Sequence, residues 1–221
     1  MSVLADGVLA VGAADAMVER AGDVALIDAG GANLGSVRYA LERLGVSPRI
    51  ARDADDLEGA QRVILPGVGA AAPAMALLRQ RGLDRALQEL DVPLLGICLG
   101  MQLLFEWSEE GGVDCLALLP GRVQAMQPSQ GIRVPHMGWN ALQDIRSDSA
   151  LLAGIAVGAE AYFVHGYAAP VTADCIATCV HGQPFAAVVQ RGLICGAQFH
   201  PERSASVGAR VLANFLAGPR A

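Results

Sequence analysis

Pro93-Leu94-Leu95-Gly96-Ile97-Cys98-Leu99-Gly100-Met101-Gln102 is the stretch on which the fold turns. A short apolar run stops against a cysteine. Glycines stand two places before and two places after it, and residues suited to a helix follow. This reads as strand, tight turn, helix. Upstream the same alternation recurs. Val24-Ala25-Leu26-Ile27 is a strand signal that stops at Asp28, and Gly30, Gly31, Asn33 and Gly35 make a flexible turn. A helix is expected over residues 36–44, with Val37, Ala40, Leu41 and Leu44 on one face. Residues 48–51 carry a second strand. Val63-Ile64-Leu65 carries a third, ending at Pro66-Gly67-Val68-Gly69. Residues 74–81 and 83–90 read as helices broken near Gly82, and residues 100–107 as another. Such alternation is the pattern of a parallel sheet covered on both faces.

The second half is richer in strands, expected over residues 121–125, 161–165, 175–180, 185–190 and 193–198. Short polar or glycine-containing turns between several of them predict some antiparallel pairing. A closing helix over residues 206–216 stops at Gly218-Pro219. Residues 1–22 read as an extension with a short helix over 13–18. Residues 23–221 read as one domain, because no linker or repeat divides them.

Composition narrows the function. The chain has 221 residues, 53% hydrophobic and 17% charged, which excludes long disorder and suffices for a full core. Its 16 basic residues are all arginine. Without lysine there is no Schiff-base chemistry and no Walker-type phosphate loop. A net charge of -6 without a basic run argues against nucleic-acid binding. No apolar run reaches the length of a membrane span, and the N-terminus lacks the pattern of a signal peptide. The five cysteines, Cys98, Cys115, Cys175, Cys179 and Cys195, cannot all pair within one chain, so reduced thiols in a cytoplasmic setting are expected. Scattered histidines and one lone Cys175/Cys179 pair point to no metal.

Gly96-Ile97-Cys98-Leu99-Gly100 has the form of a nucleophile elbow with cysteine in the place of serine. A tight strand-to-helix turn projects the middle side chain, and the glycines let flanking segments approach closely. The helix that follows offers free N–H groups and a positive dipole end, which favour a thiolate and then an oxyanion. A thiolate needs a proton-carrying partner. His200 ends the apolar run Leu193–Phe199, at the strand edge where parallel sheets carry their sites. Glu202 follows closely enough to orient its imidazole. His165, within Tyr162-Phe163-Val164-His165, competes for the base role. His136 sits in a turn-like stretch, and His181 precedes Gly182 as a hairpin residue. Residues 66–69 expose backbone N–H groups that suit an oxyanion or a phosphate; neither they nor residues 30–35 match the dinucleotide fingerprint. On the elbow alone, a stand-alone cysteine hydrolase and a silent flavodoxin-like interaction module stay open.

Two motifs carry a resemblance. Gly96-Ile97-Cys98-Leu99-Gly100-Met101-Gln102 together with Gly196-Ala197-Gln198-Phe199-His200-Pro201-Glu202 resembles the class I, triad-type glutamine amidotransferases. Leu65-Pro66-Gly67-Val68-Gly69 and Pro135-His136-Met137-Gly138-Trp139-Asn140 are similar to one branch, the glutaminase subunits of imidazole glycerol phosphate synthase. The resemblance implies a flavodoxin-like three-layer α/β sandwich with a central, mostly parallel sheet. It implies Cys98 as nucleophile, His200 as base then acid, and Glu202 as its orienter. It places Gly67, Val68, Gly69, Leu99 and Gln102 around the oxyanion and substrate, and His136, Met137, Trp139 and Asn140 at a partner interface. That partner would be a cyclase subunit (HisF) built as a (β/α)8 barrel. Ammonia from L-glutamine would there meet a formimino aminoimidazole carboxamide ribotide, giving imidazole glycerol phosphate and an aminoimidazole carboxamide ribotide in histidine biosynthesis. No cofactor or metal is implied. Departures from the family pattern include Gly166 within Val164-His165-Gly166-Tyr167, and arginines at 133 and 203 where lysine is usual, which keeps charge and changes reach.

Overall fold

The computed structural model describes residues 21–30 and 33–218. The expected helix at 13–18 and the pair Gly31-Ala32 lie outside them. In chain order the first half runs β1 (Val24–Ile27), α1 (Leu34–Arg43), β2 (Arg49–Ala51), β3 (Arg62–Gly67), α2 (Ala71–Gln80), α3 (Leu83–Gln88), β4 (Leu94–Cys98) and α4 (Leu99–Gln102). The second half runs β5 (Trp107–Ser108), β6 (Val113–Asp114), β7 (Arg122–Ala125), β8 (His136–Ala141), β9 (Glu160–His165), β10 (Tyr167–Ala168), β11 (Cys175–His181), β12 (Gln183–Arg191), β13 (Ile194–Ala197) and α5 (Ala205–Ala217).

Seven strands form the central sheet in the order β11-β12-β13-β4-β3-β1-β2. From β13 to β2 every pairing is parallel, and β11 and β12 add an antiparallel margin. The expected sandwich is therefore what forms. Its parallel strands are apolar throughout because both faces are covered. Alternate side chains enter opposite cores. Leu26, Ile64, Leu95 and Ile97 pack with Val37 and Leu41 of α1 and with Val211, Leu212 and Phe215 of α5. Ala25, Ile27, Val63, Leu65 and Leu94 pack with Met75 and Leu78 of α2 and Leu83 of α3. Gly82 takes φ +69 between α2 and α3, the left-handed turn that separates these helices.

Two expectations need correction. The helix expected over residues 100–107 stops after Gln102. Residues 115–119 turn back on it, and the amides of Leu116, Ala117 and Leu118 bond to the carbonyls of Leu103, Phe105 and Leu104. Those carbonyls are taken from outside the helix, so the chain leaves it and forms β5. The stretch His136–Asn140, expected as a turn, is strand β8. It pairs antiparallel with β9, His136 opposite His165 and Trp139 opposite Tyr162.

Candidate active site

The register of the sheet brings the elbow, the glycine segment and the histidine segment to one edge. Gly67, the last residue of β3, pairs with Cys98, the last residue of β4. On the other side Ala197 pairs with Ile97, so the chain running from β13 to His200 emerges beside Cys98. All three segments end at the C-terminal edge of the sheet, where loops are free to build a site.

The glycines of the elbow are a steric requirement. A Cβ on Gly100 would stand 1.8 Å from the Leu65 carbonyl oxygen, and one on Gly96 would stand 2.7 Å from Gly100 backbone. A Cβ on Gly67 would come within 2.7 Å of the Gly100 nitrogen. Strand β3 and the start of α4 thus pass backbone against backbone. This contact forces Cys98 to φ 54 and ψ -112, a conformation that costs a non-glycine residue about 1–3 kcal/mol. The strained turn lifts Sγ toward the cleft and brings the Leu99 amide in behind it.

Beside the sulfur stands His200. Its Nδ1 lies 2.8 Å from Glu202 Oε1, and its other nitrogen is left to hydrogen-bond the Cys98 thiol. Burial disfavours the charged imidazole, but the bonds and charges of Cys98 and Glu202 outweigh it and push the pKa up to about 10. Burial raises the Glu202 carboxyl, yet bonds to His200 and Asn33 prevail and hold it below the ordinary range. Asn33 Nδ2 donates to Glu202 Oε1 at 2.7 Å. An imidazole anchored by a buried carboxylate beside the Cys98 sulfur is an arrangement for transferring protons to and from a sulfur nucleophile.

A cleft of about 310 Å³ opens over this pair. Val68, Gly69, Cys98, Leu99, Gln102 and His200 line it, so most residues expected at the nucleophile and oxyanion meet there. Gly69 adopts φ +101, a conformation open to glycine that lets the Val68–Gly69 backbone face the cleft. His165 also borders the cleft, but its Nδ1 is bound to the Tyr167 carbonyl at 2.8 Å and its Nε2 to His136 at 3.0 Å. Of the two competing bases, His200 is the one that bonds the thiol.

The four residues expected at the interface divide by strand alternation. Met137 and Trp139 are 65% and 51% exposed on one face of β8. His136 is buried on the other face, stacked on Phe163, so it is no surface contact. Asn140 is half-buried and spends its amide on the Val180 carbonyl and His136.

Two residues of the site escaped the sequence reading. Glu110 lines the cleft, holds the Ala71 amide at 2.9 Å, and has its carboxyl raised by burial against that bond. It lies in Glu109-Glu110-Gly111-Gly112, which reads as an ordinary polar turn. Asn33 also read as a turn residue, because the bond it makes crosses to the far end of the chain. Among the described residues no group of three or more His, Cys, Asp or Glu is placed to hold a metal.

Comparison with known proteins agrees with this geometry. The family model of class-I glutamine amidotransferases matches residues 25–218. The imidazole glycerol phosphate synthase subunit HisH of Xanthomonas campestris pv. campestris (strain 8004) is 73% identical over 194 residues, 88% of this chain and 96% of that protein. The chain belongs to the class-I glutamine amidotransferases, in the HisH family. The HisH subunit of Xylella fastidiosa (strain 9a5c) is 66% identical over the same shares of the two chains. Among solved structures, a putative GMP synthase subunit from Thermoplasma acidophilum superposes with a TM-score of 0.68 at 20% identity. That match covers 88% of this chain and 92% of the other. A second glutamine amidotransferase structure gives 0.69 at 21% identity, covering 88% and 97%. These two share the amidotransferase fold.

Proposed function

We propose that the cleft hydrolyses L-glutamine to glutamate and ammonia, with Cys98 as nucleophile, His200 as proton carrier and Glu202 as orienter. The observation that carries this reading is the imidazole held between the Cys98 thiol and the Glu202 carboxylate, 2.8 Å from the latter. Sγ attacks the side-chain amide carbon. The oxyanion forms beside the Leu99 amide and the Val68–Gly69 backbone. His200 gives its proton to the departing nitrogen, and ammonia leaves a thioester on Cys98. Water, deprotonated by His200, attacks that thioester and releases glutamate. Glu110, the carboxylate that lines the cleft, is suited to the α-ammonium of the substrate. Gln102 lines the wall between.

Ammonia set free in water would be protonated and lost, which favours a sealed partner. The partner we propose is the cyclase subunit HisF, a (β/α)8 barrel that uses ammonia to form imidazole glycerol phosphate and the carboxamide ribotide in histidine biosynthesis. Exposed Met137 and Trp139, with Tyr162 packed edge-on against Trp139 at 5.9 Å, have the aromatic character of an interface anchor. We place the amidotransferase domain at residues 23–221, with 1–22 as an extension, and the protein in the cytoplasm, where five free cysteines remain reduced. Among the described residues no helix is long and apolar enough to cross a membrane.

The test is glutamate release by the chain alone, with the cyclase subunit, and with the cyclase and its ribotide. The partner and ribotide should raise the rate, by roughly 10²–10³-fold if they complete the oxyanion site with one backbone donor. Trp139→Ala should weaken the complex and blunt that rise. Full turnover by the isolated chain, unchanged by either addition, would contradict the coupling.

A further inference from the structure

Two buried histidines, His165 in the cleft wall and His136 bonded to it, have no part in the proton transfers above. His165 Nδ1 lies 2.8 Å from the Tyr167 carbonyl oxygen. His165 Nε2 lies 3.0 Å from His136 Nδ1, and His136 Nε2 lies 3.2 Å from Asn140 Nδ2. The direction of every bond in this chain follows from its ends. A carbonyl only accepts, so His165 Nδ1 carries a hydrogen. At the other end Asn140 Nδ2 also serves the Val180 carbonyl at 2.9 Å, while its Oδ1 accepts from the Ala141 amide at 2.8 Å. The group it turns to His136 is therefore the NH₂ donor, and His136 Nε2 must accept. With both rings neutral, both ends give one answer: each imidazole carries its hydrogen on Nδ1, and His136 donates to His165.

This chain has no place for another proton. Protonating His165 would set its Nε2–H against the Nδ1–H of His136. Protonating His136 would set its Nε2–H against the Asn140 amide. Burial, and then the neighbouring histidines, lower His136 to about 3. Burial lowers His165 to about 4 against its bond to Tyr167. Among titratable groups, His165 and His181 act on His136, and His181 and His200 act on His165. His181 of β11 stacks on His136 at 4.1 Å, and the charged His200 opposes a charge on His165. Phe163 of β9 and Phe185 of β12 pack against both rings and are neutral.

The Tyr167 carbonyl is where the chain meets the cleft. It accepts from His165 and also from Gln102 Nε2 at 2.9 Å. Gln102 Nε2 also donates to Gln198 Oε1 at 2.9 Å, and Gln198 Nε2 reaches Cys98 Sγ at 3.9 Å. We propose that His136 and His165 are positioning residues, a neutral pair with both hydrogens on Nδ1 that holds the His165–Tyr167 wall and Gln102 in place for the substrate. The substrate part of this proposal rests on the glutaminase reading. The tautomer part does not.

The test has two arms. In the first, the full chain is labelled at the imidazole nitrogens of its four histidines, and proton–nitrogen correlation spectra are recorded from neutral pH downward. His136 and His165 should each show a protonated Nδ1 and a bare Nε2, and both should remain neutral well below the ordinary histidine value of about 6.5. A hydrogen on Nε2 of either ring, or a charge on either near that value, overturns the proposal. In the second, glutamine hydrolysis by the complex with the cyclase subunit is compared for the parent, His136→Phe and His136→Asn. Phenylalanine keeps the ring packing and removes both nitrogens. Asparagine keeps a donor near the position of Nδ1. His136→Phe should raise KM for glutamine roughly tenfold with a smaller change in kcat, the effect of a buried acceptor left unsatisfied. Its acid limb should move to higher pH while staying below the free-histidine value, because His165, freed of the facing donor, can take a proton more readily but remains buried. His136→Asn should restore both toward the parent. Equal effects of the two variants, or no change in KM and acid limb with phenylalanine, would refute the positioning role. If even the parent complex released no glutamate, the glutaminase reading would fail, and the spectra would still decide the tautomers.

Discussion

Cys98→Ala is expected to abolish glutamate release and glutamine-dependent synthesis while leaving ammonia-dependent synthesis by the complex intact. The sulfur forms and breaks the acyl bond, and no other cysteine lines the cleft. Removing the nucleophile of a comparable triad costs roughly 10⁶-fold. Ring closure, which needs ammonia and not the thiol, would take place on the cyclase. Alanine inherits the same positive-φ backbone, so the elbow and the contact of Gly100 with Leu65 persist. Both rates are measured with the cyclase present. Equal loss of the two would make Cys98 a structural residue.

His200→Asn is expected to cost roughly 10²–10⁴-fold in glutamine hydrolysis, the worth of a positioned proton carrier. Glu202→Gln should cost less, because the amide can still accept a bond from Nδ1 and the imidazole stays in place. It should also shift the pH profile. The carboxylate helps hold His200 protonated up to about pH 10, so its neutral replacement lowers that pKa and moves the alkaline limb to lower pH. The comparison is His165→Asn, which leaves the Cys98–His200 pair intact and should act on KM more than on kcat. Loss of hydrolysis in that variant, with His200→Asn still active, would assign the base to the wrong histidine.

The legible parts of the sequence were those where one physical demand dominates. β1, β3 and β4 are buried on both faces, so they read as unbroken apolar runs. The elbow was legible because Gly96 and Gly100 have no steric alternative there. His200 and Glu202 lie two residues apart and meet locally at 2.8 Å. Where long-range partners decide, the local signal misled. The stretch after Gln102 has helix-forming residues, but residues 115–119 compete for its carbonyls. β8 was hidden because its inward positions are His136, Gly138 and Asn140, which lack the apolar alternation of a strand. Glu110 in the cleft and Asn33 on Glu202 are held by contacts 39 and 169 residues away, which no local spacing encodes.

The central claim is that Cys98 is the nucleophile of a glutamine site. Its most direct test exposes the complex to a glutamine analogue bearing an electrophile at the side-chain carbonyl, then maps the adduct by mass spectrometry. One adduct is expected, on Cys98, blocked by excess glutamine and strongly slowed in His200→Asn. An adduct on Cys115, Cys175, Cys179 or Cys195 with Cys98 left free, or labelling of Cys98 indifferent to glutamine, would contradict it.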